Sequence, residues 1–119
     1  MEARKLEVWM SDAFFDDHAA NPLLHRITSE DNEDELFAFF VRLIVMGAHK
    51  LADEVVIRDE AGERYTLKAL SAKMRRSEED TERILKTLNR LHLIQMRMDG
   101  EIIIAENPYI TYEEAKPGH

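Results

Sequence analysis

The sequence predicts a single, mainly α-helical domain with a small β part, on three observations. The run Leu36 to Met46 is apolar almost all the way round a helix; two later segments carry apolar residues three and four apart; and an alternating stretch, Ile94 to Met98, leads through Asp99-Gly100 into the apolar Ile102-Ile103-Ile104. A chain of 119 residues is the size of one compact domain, and at 45% hydrophobic and 34% charged residues it is too apolar for a disordered segment.

Taken in order, Leu6 to Met10 alternates apolar and polar residues and predicts a short strand, ending at the potential cap Ser11-Asp12 before a turn or short helix around Phe14 and Phe15. Asn21-Pro22 opens a second short helical piece, Leu23 to Ile27, since proline suits a first turn. Asn32 and Glu35 form a capping pair, and Glu33, Asp34 and Glu35 place negative charge at the start of the long apolar helix. Gly47 allows close packing or begins that helix's end, where His49 and Lys50 meet the negative end of its dipole. Val55-Val56-Ile57 predicts a small strand or hairpin, and Asp59 to Gly62 a turn.

Thr66 caps a helix of about two turns with Leu67, Leu70 and Met74 on its apolar side and Lys68, Ser71, Lys73 and Arg75 on the other. Ser77 caps the next helix after a gap of only three residues, and Thr81, Ile84, Leu85, Leu88 and Leu91 make its apolar stripe. Two helices joined by a tight turn and followed by a β-hairpin form a winged helix-turn-helix, expected over residues 1–105. Residues 106–119 carry Pro108 and Pro117-Gly118 and are expected to be a linker or disordered tail.

Several function classes are excluded. With no cysteine there is no disulfide framework, thiolate nucleophile or sulfur-ligated zinc. The four glycines are scattered, so no phosphate-cradling loop exists, and no two histidines stand four apart. Asp16-Asp17-His18 is the one close group of ligand types, and it reads as a solvated turn. Dense carboxylates precede helices and complement their dipoles. The sequence therefore predicts no enzyme, cofactor, metal or small-molecule substrate, and with no membrane span or signal-type block a cytoplasmic protein. The phenylalanines 37, 39 and 40 and the methionines 46, 74, 96 and 98 read as core residues, as does Trp9.

Charge is the remaining signal. The net −8 resides in residues 1–60, with 6 Lys/Arg against 14 Asp/Glu, whereas residues 64–97 hold nine Lys/Arg against four acids. An anion-binding surface belongs there, and the candidates are Lys73, Arg75, Arg76, Arg83, Lys86, Thr87, Arg90 and Arg97. The second helix of such a unit enters the major groove while the helix ends and hairpin meet phosphates. Glu78-Glu79-Asp80 opposes that docking, and pairs such as Glu79 with Arg83 and Glu82 with Lys86 allow a solvated face instead.

The Trp9 segment followed by Phe14-Phe15-Asp16-Asp17, the long apolar helix, Tyr65-Thr66-Leu67-Lys68-Ala69-Leu70-Ser71, and Ile84 to Ile94 ending Leu91-His92-Leu93-Ile94 share an order and spacing that resembles the N-terminal domain of phage replisome organiser proteins, related to DnaD-like primosomal proteins. The resemblance spans roughly residues 5–105. It implies a winged-helix domain acting in initiation of DNA replication, binding double-stranded DNA or self-associating, with replication proteins such as a helicase loader as partners and a second domain beyond a linker. A protein-interaction and oligomerisation module and a winged-helix transcription regulator are the alternative readings.

Overall fold

The computed structural model describes residues 2–11, 26–27 and 30–115. The expectations at Phe14, Phe15, Asp16-Asp17-His18 and Asn21-Pro22, and all of the second short helical piece except Arg26 and Ile27, which are helical, lie outside the described residues. Alternation at the start of the chain becomes strand β1 (Arg4–Met10). Leu6 is buried, but Trp9 lies on the opposite face and is 59% exposed, so it is not a core residue.

Helix α1 (Glu33–Gly47) begins where the acidic first turn places it, yet Asn32 makes no side-chain cap bond. The expected capping pair does not form: Asn32, at φ −106° and ψ 40°, lacks the extended backbone of a capping residue, and the Glu35 carboxylate pairs instead with Arg76 and Arg83. Leu36, Phe39, Phe40, Leu43 and Ile44 are buried, whereas Val45 is 54% exposed, so the helix is covered on one broad side and not all round. Gly47 fills both roles expected of it: it is the last helical residue, and a Cβ there would stand 2.8 Å from Ile57 Cγ2.

The chain turns directly into a hairpin of β2 (Ala48–Leu51) and β3 (Glu54–Ile57), its corner formed by Ala52 at φ 53°. His49 is therefore in a strand, but still serves the end of α1. Its Nδ1 lies 2.8 Å from Gly47 O, and because a carbonyl only accepts, Nδ1 carries the proton. Lys5 of β1 supplies the cation, donating to Met46 O at 2.6 Å. Burial lowers the Lys5 pKa, against the raising effect of Glu60.

The expected turn follows, with Asp59 Oδ1 accepting from the N–H groups of Ala61 and Glu63 and Gly62 at φ +80°. Thr66 caps α2 (Leu67–Met74) by accepting from Ala69 N–H at 3.1 Å. Ser71 departs from expectation: it is buried and donates to Leu67 O at 2.7 Å, an i to i−4 bond that satisfies its hydroxyl inside the core. Ser77 caps α3 (Glu78–Arg90) by accepting from Asp80 N–H at 3.0 Å, and Thr81, Ile84, Leu85 and Leu88 are its buried stripe, with Leu91 packed beside them.

Strands β4 (Ile94–Met96) and β5 (Ile102–Ile104) pair antiparallel. Their loop is not a two-residue turn. Asp99 lacks the positive φ that such a turn needs, and instead Gly100 N–H bonds Arg97 O at 3.0 Å with Gly100 itself at φ +92°, a turn followed by a bulge. Met96 and Met98 on this hairpin are exposed and not core; Met74 is buried and Met46 packs against the core.

Residues 106–115 are not a disordered tail. Ile110–Glu114 form β6, which pairs with β1 along its whole length, because Ile110 and Tyr112 give it an apolar face that the core covers. Residues 116–119 lie outside the described residues. Among the described residues the result is a mixed α/β fold, with helices α1 to α3 against one antiparallel sheet in the order β4-β5-β3-β2-β1-β6, larger than the small β part expected. Arg58 fastens the later hairpin to β3, with its Nε 3.0 Å from Glu101 Oε2 and its Nη2 on Glu101 Oε1, both side chains largely buried. The Glu101 bond is the main reason the Arg58 pKa is raised.

Candidate nucleic-acid interface

Helices α2 and α3 meet through Arg75, Arg76 and Ser77. Arg75 adopts the left-handed conformation, φ 57° and ψ 45°, and its N–H and that of Arg76 close the end of α2 on Ala72 O and Ser71 O. This closure ends one helix and lets Ser77 begin the next two residues later. Beyond α3, Asn89 Oδ1 accepts from Met96 N–H at 3.1 Å and so ties the first strand of the hairpin to the helix.

The outer face of α3 carries a shallow groove of about 470 Å³ lined by Glu79, Glu82, Arg83, Lys86, Thr87 and Arg90. Four of the eight candidate residues are thus brought together, on successive turns of one helix. Thr87 donates to Arg83 O at 3.0 Å. Arg76 lies deeper, and Lys73, Arg75 and Arg97 stand outside the groove on α2, the turn and the hairpin.

The cations are already matched by carboxylates. Glu35 Oε1 takes Arg76 Nη1 at 3.3 Å and Arg83 Nη2 at 2.6 Å, and Asp80 in the first turn of α3 also takes both guanidiniums, Arg76 of the preceding turn at 2.6 Å and Arg83 of α3. Hydrogen bonds from Arg83 and then Arg76 hold the Asp80 carboxyl below its ordinary pKa, and the same pairing raises that of Arg83. Lys86 pairs with Glu82 at 2.9 Å, Arg90 with Glu30, Arg97 with Glu54 at 2.8 Å, and Lys73 with Glu60 at 3.5 Å. The expected pair Glu82 with Lys86 forms, whereas Arg83 pairs with Asp80 and Glu35 in place of Glu79. Of the cations in residues 64–97, Arg75 and Lys68 have no ion pair among the described residues.

Residue reasoning missed the acids Glu30, Glu35 and Glu54, which lie 41 to 60 positions from the cations they engage. No local pattern carries that information.

The described residues contain no group of three or more His, Asp or Glu arranged to hold a metal, and no helix long and apolar enough to cross a membrane. The chain matches no family model, no curated protein and no solved structure.

Proposed function

We propose that this chain is a winged-helix module of the replisome-organiser kind that binds duplex DNA through the outer face of α3 and the β4–β5 hairpin, in initiation of DNA replication. The observation that carries the reading is the groove on α3, where Arg83, Lys86, Thr87 and Arg90 share one open face of the second helix of a tight two-helix unit that a hairpin follows. The ion pairs on this face are solvent-exposed, and exposed pairs contribute about 0 to 1 kcal/mol, so a phosphate can replace a carboxylate at small cost. The displaced acids remain nearby and repel the backbone. Binding is accordingly weak, on the order of 10⁻⁴ to 10⁻⁶ M, and steeply salt-dependent.

The test is mobility of a labelled duplex with the purified chain across a salt series. Lys86→Ala, Arg90→Ala and Arg97→Ala together are expected to abolish the shift, and removal of each phosphate-binding cation to lower the salt slope by about one unit. Retention of the shift by the triple variant refutes the reading.

A second reading is favoured by the carboxylate partners themselves. A surface whose cations already hold Glu30, Glu35, Glu54 and Glu82 is chemically suited to exchange them for acids of another protein chain or another copy. The same triple variant then lowers the mass in solution while duplex mobility stays unmoved.

A further inference from the structure

We infer that the free edge of β6 and the cleft beside it form a docking site for an extended, basic peptide strand of a partner protein. The first observation is the direction of main-chain groups. In the β1–β6 ladder Ala115 N–H bonds Lys5 O and Ser11 N–H bonds Tyr109 O, so the odd-numbered residues of β6 face β1 and Ile110, Tyr112 and Glu114 face away. Ile110 N–H turns back to Asn107 O at 3.1 Å. Among the described residues the Tyr112 N–H and carbonyl and the Glu114 N–H have no partner, and β6 ends the sheet.

The second observation is the cleft. Cross-strand register places Ile110, Tyr112, Leu6, Lys50 and Val55 on one face of the sheet, and the sheet curls so that Ile110 and Tyr112 border, with Val55, Ile104 and Pro108, an open cavity of about 730 Å³. An added strand pairing with β6 would direct every second side chain to this face. Cavity size and mixed lining suit apolar side chains of that strand.

Charge selects the occupant. Asp53, Glu54 and Glu106 line the cleft with Lys50, and Glu113 and Glu114 lie on the edge strand; Glu54 is matched by Arg97 and Glu114 by Arg4, so that among the described residues Asp53, Glu106 and Glu113 are acids without an ion pair. Adjacent acids on an edge repel a second copy of the same edge and attract a strand that carries lysine or arginine. The pairing edge β6 is not part of the proposed DNA face, and Glu106 and Glu113 lie outside both α3 and the β4–β5 hairpin, so variants there test this site apart from DNA binding.

The probe is a labelled synthetic peptide of alternating lysine and valine, followed by anisotropy with the full chain at low salt, with an alternating glutamate and valine peptide as control. Hydrogen exchange of individual amides is read in parallel. Binding of the basic peptide alone is expected, with slowed exchange at Tyr112 and Glu114 and an intrinsic signal from Trp9, which sits opposite Thr111 of β6. Charge reversal by Glu106→Lys with Glu113→Lys is expected to weaken binding about tenfold, and N-methylation of alternate peptide amides to abolish it. Equal binding of the acidic peptide, indifference to N-methylation, or protection of Tyr112 by self-association without peptide would each overturn the inference.

Discussion

At Arg75 conformation and residue type conflict, since a left-handed backbone costs a non-glycine residue roughly 1 kcal/mol. The arginine also stands exposed at the mouth of the helix pair without an ion partner among the described residues. Arg75→Gly is therefore expected to leave stability unchanged or raise it by up to about 1 kcal/mol in urea unfolding while weakening duplex binding. A residue chosen only for the turn would show no binding loss. Tyr112 offers a second test at this scale. Burial pushes its phenol up to about 12. Because the folded value lies above the ordinary value near 10, its stabilising contribution is complete below about pH 10 and is lost as pH rises towards 12. Absorbance titration should show a tyrosine step near that value that Tyr112→Phe removes.

Among the elements, α3 answers to two demands. Its inner stripe must pack under α1, and Leu88, fully buried, sits in the middle of it. Leu88→Ala is expected to destabilise by about 2 to 5 kcal/mol in chemical denaturation, and a loss under about half a kcal/mol would assign that face to the surface. Its outer face has no such constraint, which is why charge there is free to serve binding. The β4–β5 hairpin depends on a buried ion pair for its place beside β3. Arg58→Ala strands Glu101 without a partner and is expected to cost about 3 to 5 kcal/mol, whereas replacing both residues by apolar ones of similar volume should cost far less. Thermal melts of the single and double variants separate these outcomes.

Across the whole molecule the acidic first half and the basic segment are not two separate surfaces. Glu30 and Glu35, at and before the start of α1, reach the basic helix pair and neutralise it within the chain. Glu30→Gln frees Arg90, so it is expected to tighten duplex binding by about two- to fivefold, the worth of one exposed pair. Glu7→Gln makes the same change in net charge on β1, away from α3, and separates release of Arg90 from simple reduction of the −8. Equal effects of the two variants would assign the gain to net charge alone.

The sequence by itself determined the helices and their caps at Thr66 and Ser77, the stripe from Thr81 to Leu88, the hairpin after it and the concentration of cations in residues 64–97, because each rests on periodicity or on bonds within four residues. Tertiary structure decided what periodicity cannot express. His49 and Lys50 read as the end of the long helix because they follow Gly47 as cations near its negative dipole end, and pairing with β3 made Ala48–Leu51 a strand. Ile110 to Glu114 alternates weakly after Pro108, and only β1, a hundred positions earlier, gave it a partner. Trp9 belongs by composition in a core, but strand alternation with Leu6 buried put it on the outer face. The cations, legible as a cluster, took their chemical state from Glu30, Glu35 and Glu54, for an ion pair across 41 to 60 positions depends on where the fold brings the chain and leaves no trace in local order.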